Sequence, residues 1–411
     1  MPVKWKSKFK PEVVLSRIAA SRSRGADGQG ASFTGFDLDY CLPSLHSMLS
    51  FPEAARDLDH QALLWKAVAQ DPGDLTKDSF LKELNRQLAQ ALSQREQSLR
   101  VLTSISLHNA CALGKVSIEG VQLEFVGANY LPTFEKHRAA LIKARRAPGT
   151  ESPPAYTKVV ASLSAKTPAL AFHRALRAVD IHRALWCVFS NAQMEIAGQS
   201  WMPINAVRLG CLHTVHAPGG RCAGDGVWFE PHHVLTDARR PRNFTEVHRH
   251  VRRILQRLSR SNYAPDIFDA LLLYVRALDE WNQTSALVRL WSAVERLASP
   301  GHGDYDAVVR RCAFLWNDVS FATQTLEHLR EYRNGYMHAG AESPYAKTYC
   351  FQLQMHFRNL LFFHIGNSNY FSNLQEANRF LDLPADLAQL ARLRTTVSRA
   401  ERFRKPQQVE V

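Results

Sequence analysis

The sequence predicts an α+β chain, with a mixed α/β domain over residues 1–240 and an all-α helical bundle over residues 241–411. Three observations predict it. Short runs in the first half alternate apolar and polar residues, the period of a strand. From Phe244 onward apolar residues recur every three or four positions, the period of an α-helix. Glycine and proline clusters, at residues 147–154 and 300–303, separate the runs.

Taken in order, residues 79–103 are rich in Leu, Gln, Glu and Lys without Gly or Pro, which predicts one long helix. Residues 115–125 change period. Val116 and Ile118 alternate with polar residues, Glu119-Gly120 supplies a turn, and Val121, Leu123 and Phe125 alternate again, so a hairpin is expected. A second helix is expected at 169–189. Two strands are expected at 206–215 and 226–234, joined by the glycine-rich loop APGGRCAGDG. Beyond Pro241, Val247, Val251, Ile254, Leu255 and Leu258 form an apolar stripe. Further helices are expected at 266–281, 285–298, 305–316, 323–333 and 345–365, closely enough spaced for a bundle.

The chain has 411 residues, enough for two domains with sizeable cores. Hydrophobic residues at 45% and charged residues at 22% fit a soluble globular protein. The net charge of +13 points to an acidic partner, either nucleic acid or a membrane surface, unless it only solubilises the surface. The seven cysteines are odd in number and form no CxxC pair, which argues against a disulfide framework or zinc ribbon and fits a reducing cytoplasm. The start, MPVKWKSKFKPEVV, lacks the apolar core of a signal peptide. No apolar run approaches the roughly 18 residues of a membrane span.

Within the bundle lies Glu331-Tyr332-Arg333-Asn334-Gly335-Tyr336-Met337-His338-Ala339-Gly340, in which Arg-Asn precedes His. The spacing alone discriminates little, because Arg177/His182 and Arg208/His213 share it and Arg242/His248 is one residue longer. Context separates them. Arg208 and His213 fall in a strand pattern that sends them to opposite faces. Arg177 and His182 lie in an Ala/Leu-rich helix, and Arg242 follows a proline ahead of its helix. Arg333 and His338 are expected at a helix end, where Gly335 and Gly340 free the backbone to approach a ligand.

This segment resembles the Arg-x4–6-His motif of HEPN domains, and its surroundings resemble the ApeA-like branch of that family. Leu290-Trp291-Ser292-Ala293-Val294-Glu295-Arg296-Leu297 is similar to an aromatic–small–Val–Glu–x–Leu helix found there. Arg311-Cys312-Ala313-Phe314-Leu315 is similar to the next helix, and the likeness covers roughly residues 244–400. It implies an RNA-cutting nuclease that needs no metal or other cofactor, leaves a 2′,3′-cyclic phosphate and a 5′-hydroxyl, and joins two motifs in a homodimer. The biological role it implies is prokaryotic defence: cleavage of RNA such as tRNA during phage infection, released by a phage-derived or protein trigger. The N-terminal domain would sense or recruit. The rival expectation is a non-catalytic HEPN module that binds RNA or a protein partner.

The residue chemistry agrees with the enzyme. RNA carries its own nucleophile, the 2′-hydroxyl, so cleavage needs a proton acceptor, a proton donor and positive charge at the phosphorane. His338 suits proton transfer, Arg333 suits the phosphate, and Asn334 would orient either. In a continuous helix residues five apart diverge by about 140°, so one protomer would hold an incomplete site. Glu295 is a supporting candidate that either holds Arg333 or His338 or forms a plain surface ion pair. The bland alternative for Arg333 and His338 is a helix cap and a satisfied core histidine. Arg249, Arg252, Arg253, Arg257 and Arg260 lie opposite the apolar stripe, extended by Arg239, Arg240 and Arg242. They offer an RNA-binding face or a merely solvated one.

Other constellations carry less. Cys211, His213, His216, Cys222, His232 and His233 lack compact zinc spacing. Asp37 and Asp39 would bind a cation only as an isolated Asp-x-Asp, the basis of a third reading as a DNA-directed nuclease. No Walker A or dinucleotide fingerprint is present.

Overall fold

In the computed structural model the chain is α+β. The structure describes residues 2–24, 31–56, 58–147, 151–195, 202–231, 233–301, 303–340 and 342–404. Two compact units emerge. One comprises Met1–Val101, Ser162–Arg174 and Val215–Gly224; the other comprises Leu102–Ala161, Ala175–Thr214 and Asp225–Val411.

In the first unit, the helices Pro11–Ser21, Asp37–Met48, His60–Gln70 and Lys77–Ser93 gather around Leu15, Ile18, Leu45, Leu64, Phe80 and Leu84. Local chemistry sets two of their starts. Asp59 accepts from Ala62 N at 2.9 Å and Thr76 accepts from Ser79 N at 3.2 Å, each satisfying an amide that the helix cannot. Asp37 and Asp39 lie in the first turn of a helix rather than in a loop, and Asp37 is paired with Arg17 at 2.8 Å.

A six-stranded sheet runs in the order Cys222–Phe229, Leu212–His216, Gln97–His108, Tyr156–Ala165, Val121–Gly127, Lys115–Ile118. The expected hairpin is there, antiparallel with Val116 opposite Leu123. Glu119 and Gly120 both take positive φ (47° and 77°), the geometry of a two-residue turn whose twist suits the strands. The expected helix over 79–103 is overturned in its second half. It stops at Ser93, and Gln97–His108 is a central strand. Val101, Thr103 and Ile105 favour extended backbone, and the absence of Gly and Pro did not outweigh them. The strand expected at 206–215 is confined to Leu212–His216. Ahead of it the backbone at Gly210 lies so close to its neighbours that a Cβ would sit 2.0 Å from Ser104 Oγ and 2.2 Å from Ser152 Oγ. The glycine-rich loop is also shorter than expected, because Cys222 to Asp225 belong to the next strand.

The Pro168–Ser190 helix carries a buried charge network. Arg183, fully buried, bonds Asp180 and Asp279, while Arg276 bonds Asp180 at 2.6 Å and Glu230 at 2.8 Å. From Phe244 the second unit is helical to Arg404, as the periodicity predicts. Asn282, Asp304 and Asp318 cap the helices Gln283–Ala298, Tyr305–Ala313 and Val319–Ala339 through their side-chain oxygens. Trp291, Leu271, Leu290, Leu326, Leu329 and Leu360 are buried among them, and Tyr274 stacks on Phe357 at 4.6 Å. No helix is long and apolar enough to cross a membrane, among the described residues.

Candidate functional site

Arg333, Asn334 and His338 all lie on one helix, Val319–Ala339. The expectation that this helix ends near Arg333 is corrected. It continues unbroken to Ala339, Gly335 is an interior residue, and only Gly340 adopts the left-handed conformation, at φ 66°. Gly340 therefore caps the helix, its N–H donating to Tyr336 O at 2.9 Å.

Continuity fixes the directions of the side chains. Asn334 and His338 are four residues apart and share a face with Gln324, Glu327 and Glu331, while Arg333 is turned about 140° from His338. A shallow groove of about 410 Å³ runs along this face, lined by Gln324, Glu327, His328, Arg330, Glu331 and Asn334. His338 is exposed in the last turn. Arg333 is half-buried; its guanidinium lies over the Tyr305 ring at 5.0 Å and Nη1 donates to Asn334 Oδ1 at 2.9 Å. The Arg333 Nε is buried and finds no hydrogen-bond partner among the described residues. The cation–π contact and the Asn334 bond hold the guanidinium while leaving donors unused.

Glu295 plays neither part expected of it. Its Oε1 accepts from Trp291 Nε1 at 3.0 Å, one turn back on its own helix. Burial raises its pKa, and the Trp291 bond and the Arg333 charge oppose that rise. The Arg333 charge thus reaches Glu295 electrostatically, without an ion pair between them.

The arginines on and just beyond the Phe244–Leu258 helix form a second feature. The predicted stripe of Val247, Val251, Ile254, Leu255 and Leu258 is buried, and Arg249, Arg252, Arg253, Arg257 and Arg260 are all exposed. Arg249, Arg252 and Arg253 line a groove of about 680 Å³ with Lys115, Ser117, Gln256 and Ser259. Among the described residues no carboxylate lines it, so the charged groups lining it are all donors. Arg257 instead gives Nη2 to Gly366 O at 2.6 Å, which assigns it partly to packing. Lys115, paired with Glu124 at 3.1 Å, and Ser117 reach the groove from the hairpin. The sequence gives no sign of that meeting, because more than a hundred residues separate hairpin and helix.

Among the described residues no group of three or more His, Cys, Asp or Glu is placed to hold a metal. His213 Nδ1 is bonded to Thr103 Oγ1 at 2.8 Å, His216 Nδ1 to Gly220 O at 2.8 Å and His233 Nδ1 to Leu209 O at 3.1 Å; His232 lies outside the described residues. Tyr305 and His328 were not singled out by the sequence; both became visible only once the neighbouring helices were placed. Comparison with protein-family models, curated proteins and solved structures returns no match, so the reading of this site rests on its own geometry and chemistry.

Proposed function

We propose that the chain is a metal-independent endoribonuclease of the HEPN type, with Arg333, Asn334 and His338 as its catalytic group. The observation that carries the reading is one helix face with an exposed His338 and a half-buried Asn334, the latter bonded to a guanidinium that lies over Tyr305 with no carboxylate partner among the described residues. In the proposed reaction His338 takes the proton of a ribose 2′-hydroxyl, whose oxygen attacks the adjacent phosphorus. Arg333 steadies the charge gathering on the phosphoryl oxygens, and the P–O5′ bond breaks. The leaving oxygen takes up the proton that His338 gained, directly or through water, giving a 5′-hydroxyl and a 2′,3′-cyclic phosphate. The donor-lined groove at Arg249, Arg252 and Arg253 would hold the RNA backbone.

The divergence of Arg333 from His338 within one helix supports a composite site, in which a second copy supplies the missing group. The same divergence also favours the second reading, a non-catalytic module whose exposed helix face binds RNA or protein. An antiphage role, with tRNA-like targets and a protein trigger, belongs to the first reading.

Full-length protein incubated with total RNA in excess EDTA separates the two. Cutting that disappears in both Arg333→Ala and His338→Ala supports the enzyme, and partial recovery on mixing the two variants supports the composite site. RNA that is bound but left whole by the unaltered protein favours the module.

A further inference from the structure

A cavity of about 880 Å³ lies in the second unit and shares no lining residue with the two grooves described above; it is walled by residues 202–206, Arg208 and residues 235–239 together with Pro153, Ala155, Ala192 and Glu195. Arg208 is unusual among the buried arginines. It is 5% exposed, its Nε donates to Asn205 O at 3.1 Å and its Nη2 to Pro203 O at 2.7 Å. Nη1 is buried and makes no hydrogen bond to a described residue. No carboxylate lies within ion-pair distance of it among the described residues. Asp279 acts on it only from further off, having given its oxygens to Arg183 and Asn205.

A buried guanidinium ordinarily takes a carboxylate, because neutral carbonyls do not restore the solvation it has lost. Buried Arg183 and half-buried Arg276 each have two carboxylate partners. Arg208 has two carbonyls, and the residue forms part of the cavity wall. Arg239 adds a second guanidinium on the wall, exposed, with its backbone fixed by bonds to Ser106 O and His108 N. Of the two carboxylates on the wall, Glu195 is bonded to Lys347 at 2.6 Å and Asp237 is exposed. Met202, Ile204 and Leu235 supply apolar surface. The volume lies within the range of about 300–1,000 Å³ usual for small-molecule sites.

We propose that this cavity binds a small molecule carrying a compact oxyanion, phosphate or carboxylate, with Arg208 and Arg239 as its cations and the apolar wall holding its body. The site shares no residue with Arg333, Asn334 and His338 or with the arginine groove, so it stands whether or not the chain cuts RNA.

Thermal unfolding and calorimetry of the full-length chain with inorganic phosphate, 5′-AMP or benzoate test it. The first two probes carry phosphate and the third a carboxylate on an apolar body. At least one should raise the unfolding midpoint. Arg239→Gln, altering an exposed side chain, should remove the shift without changing the unliganded midpoint. Arg208→Lys keeps the charge but loses the planar fork, and should weaken binding about tenfold. Arg252→Gln, in the other groove, should change nothing. No shift with any probe overturns the proposal. So does a shift that persists in both Arg208→Lys and Arg239→Gln, or one abolished by Arg252→Gln alone.

Discussion

Two of the described helices carry an arginine followed five residues later by a histidine, and they set the pair in opposite surroundings. On the Pro168–Ser190 helix, Arg177 is clamped between Glu119 and Asp269, and His182 is buried against Phe125 with ring centroids 4.6 Å apart. Burial pulls the His182 pKa down to about 3, so it remains neutral at physiological pH. On the Val319–Ala339 helix, Arg333 has an aromatic ring instead of a carboxylate, and His338 faces solvent. Spacing is therefore silent about function. What distinguishes a structural arginine from an available one is whether acidic partners consume its donors.

The largest expected effect lies on the structural side. Replacing Arg183 with Met would leave Asp279 without its paired cation in the interior and would leave Asp180 with Arg276 alone. We expect a loss of about 3–5 kcal/mol, read by urea unfolding. Arg333→Met removes no carboxylate partner and should shift the same midpoint far less. Equal losses from the two would dissolve the distinction between the helices.

On the functional side, His338→Ala should lower RNA cutting by about 10²–10⁴-fold with little change in stability, whereas Arg177→Gln should do the reverse. A rate assay paired with thermal melts of both variants checks this. Retained cutting in His338→Ala would remove the imidazole from the mechanism.

Acid sharpens the contrast. His182, His213 and His364 are buried with pKa values depressed to about 3, and His356 to about 4. Their unfolded counterparts take up protons near pH 6.5. Stability is thus complete above that value and declines as the pH falls from about 6.5 toward the folded values, because the unfolded chain binds more protons. His364 offers the cleanest probe, since neither ring nitrogen has a hydrogen-bond partner among the described residues. His364→Phe should flatten the decline in unfolding free energy between pH 6.5 and 4, and an unchanged slope in that variant would remove His364 from the acid response.

These distinctions explain what could be read from the sequence. The Val247–Leu258 stripe and the Glu119-Gly120 turn were legible because their information is local: a periodicity, or a pair of residues suited to positive φ. The exposure of the five arginines followed from the same stripe. By contrast, the Arg183–Asp279 pair joins residues 96 apart, and no local pattern marks Asp279 as a partner. The helix end near Arg333 was misplaced for a related reason. Gly335 reads as a breaker, yet neighbouring helices hold the Val319–Ala339 helix together through Leu326 and Leu329, outweighing a glycine cost of about 1 kcal/mol. The aromatic ring over Arg333 comes from a separate helix and was likewise invisible.

The smallest expected effect tests whether availability, rather than charge count, selects an RNA-binding arginine. Arg252 and Arg257 stand on one helix with the same formal charge, but Arg252 lines the groove whereas Arg257 has given Nη2 to Gly366 O. If Arg252 neutralises one phosphate, Arg252→Gln should reduce the slope of log affinity against log salt by about 0.7 for single-stranded RNA. Arg257→Gln should reduce it by less, because part of its donor set is already committed and its charge lies outside the groove. Fluorescence polarisation of a labelled oligonucleotide across a salt series reads both slopes. Identical reductions would mean that the helix acts through total charge alone and that the groove confers no preference. A reduction in Arg252→Gln only would tie the protein's excess of positive charge to one built surface.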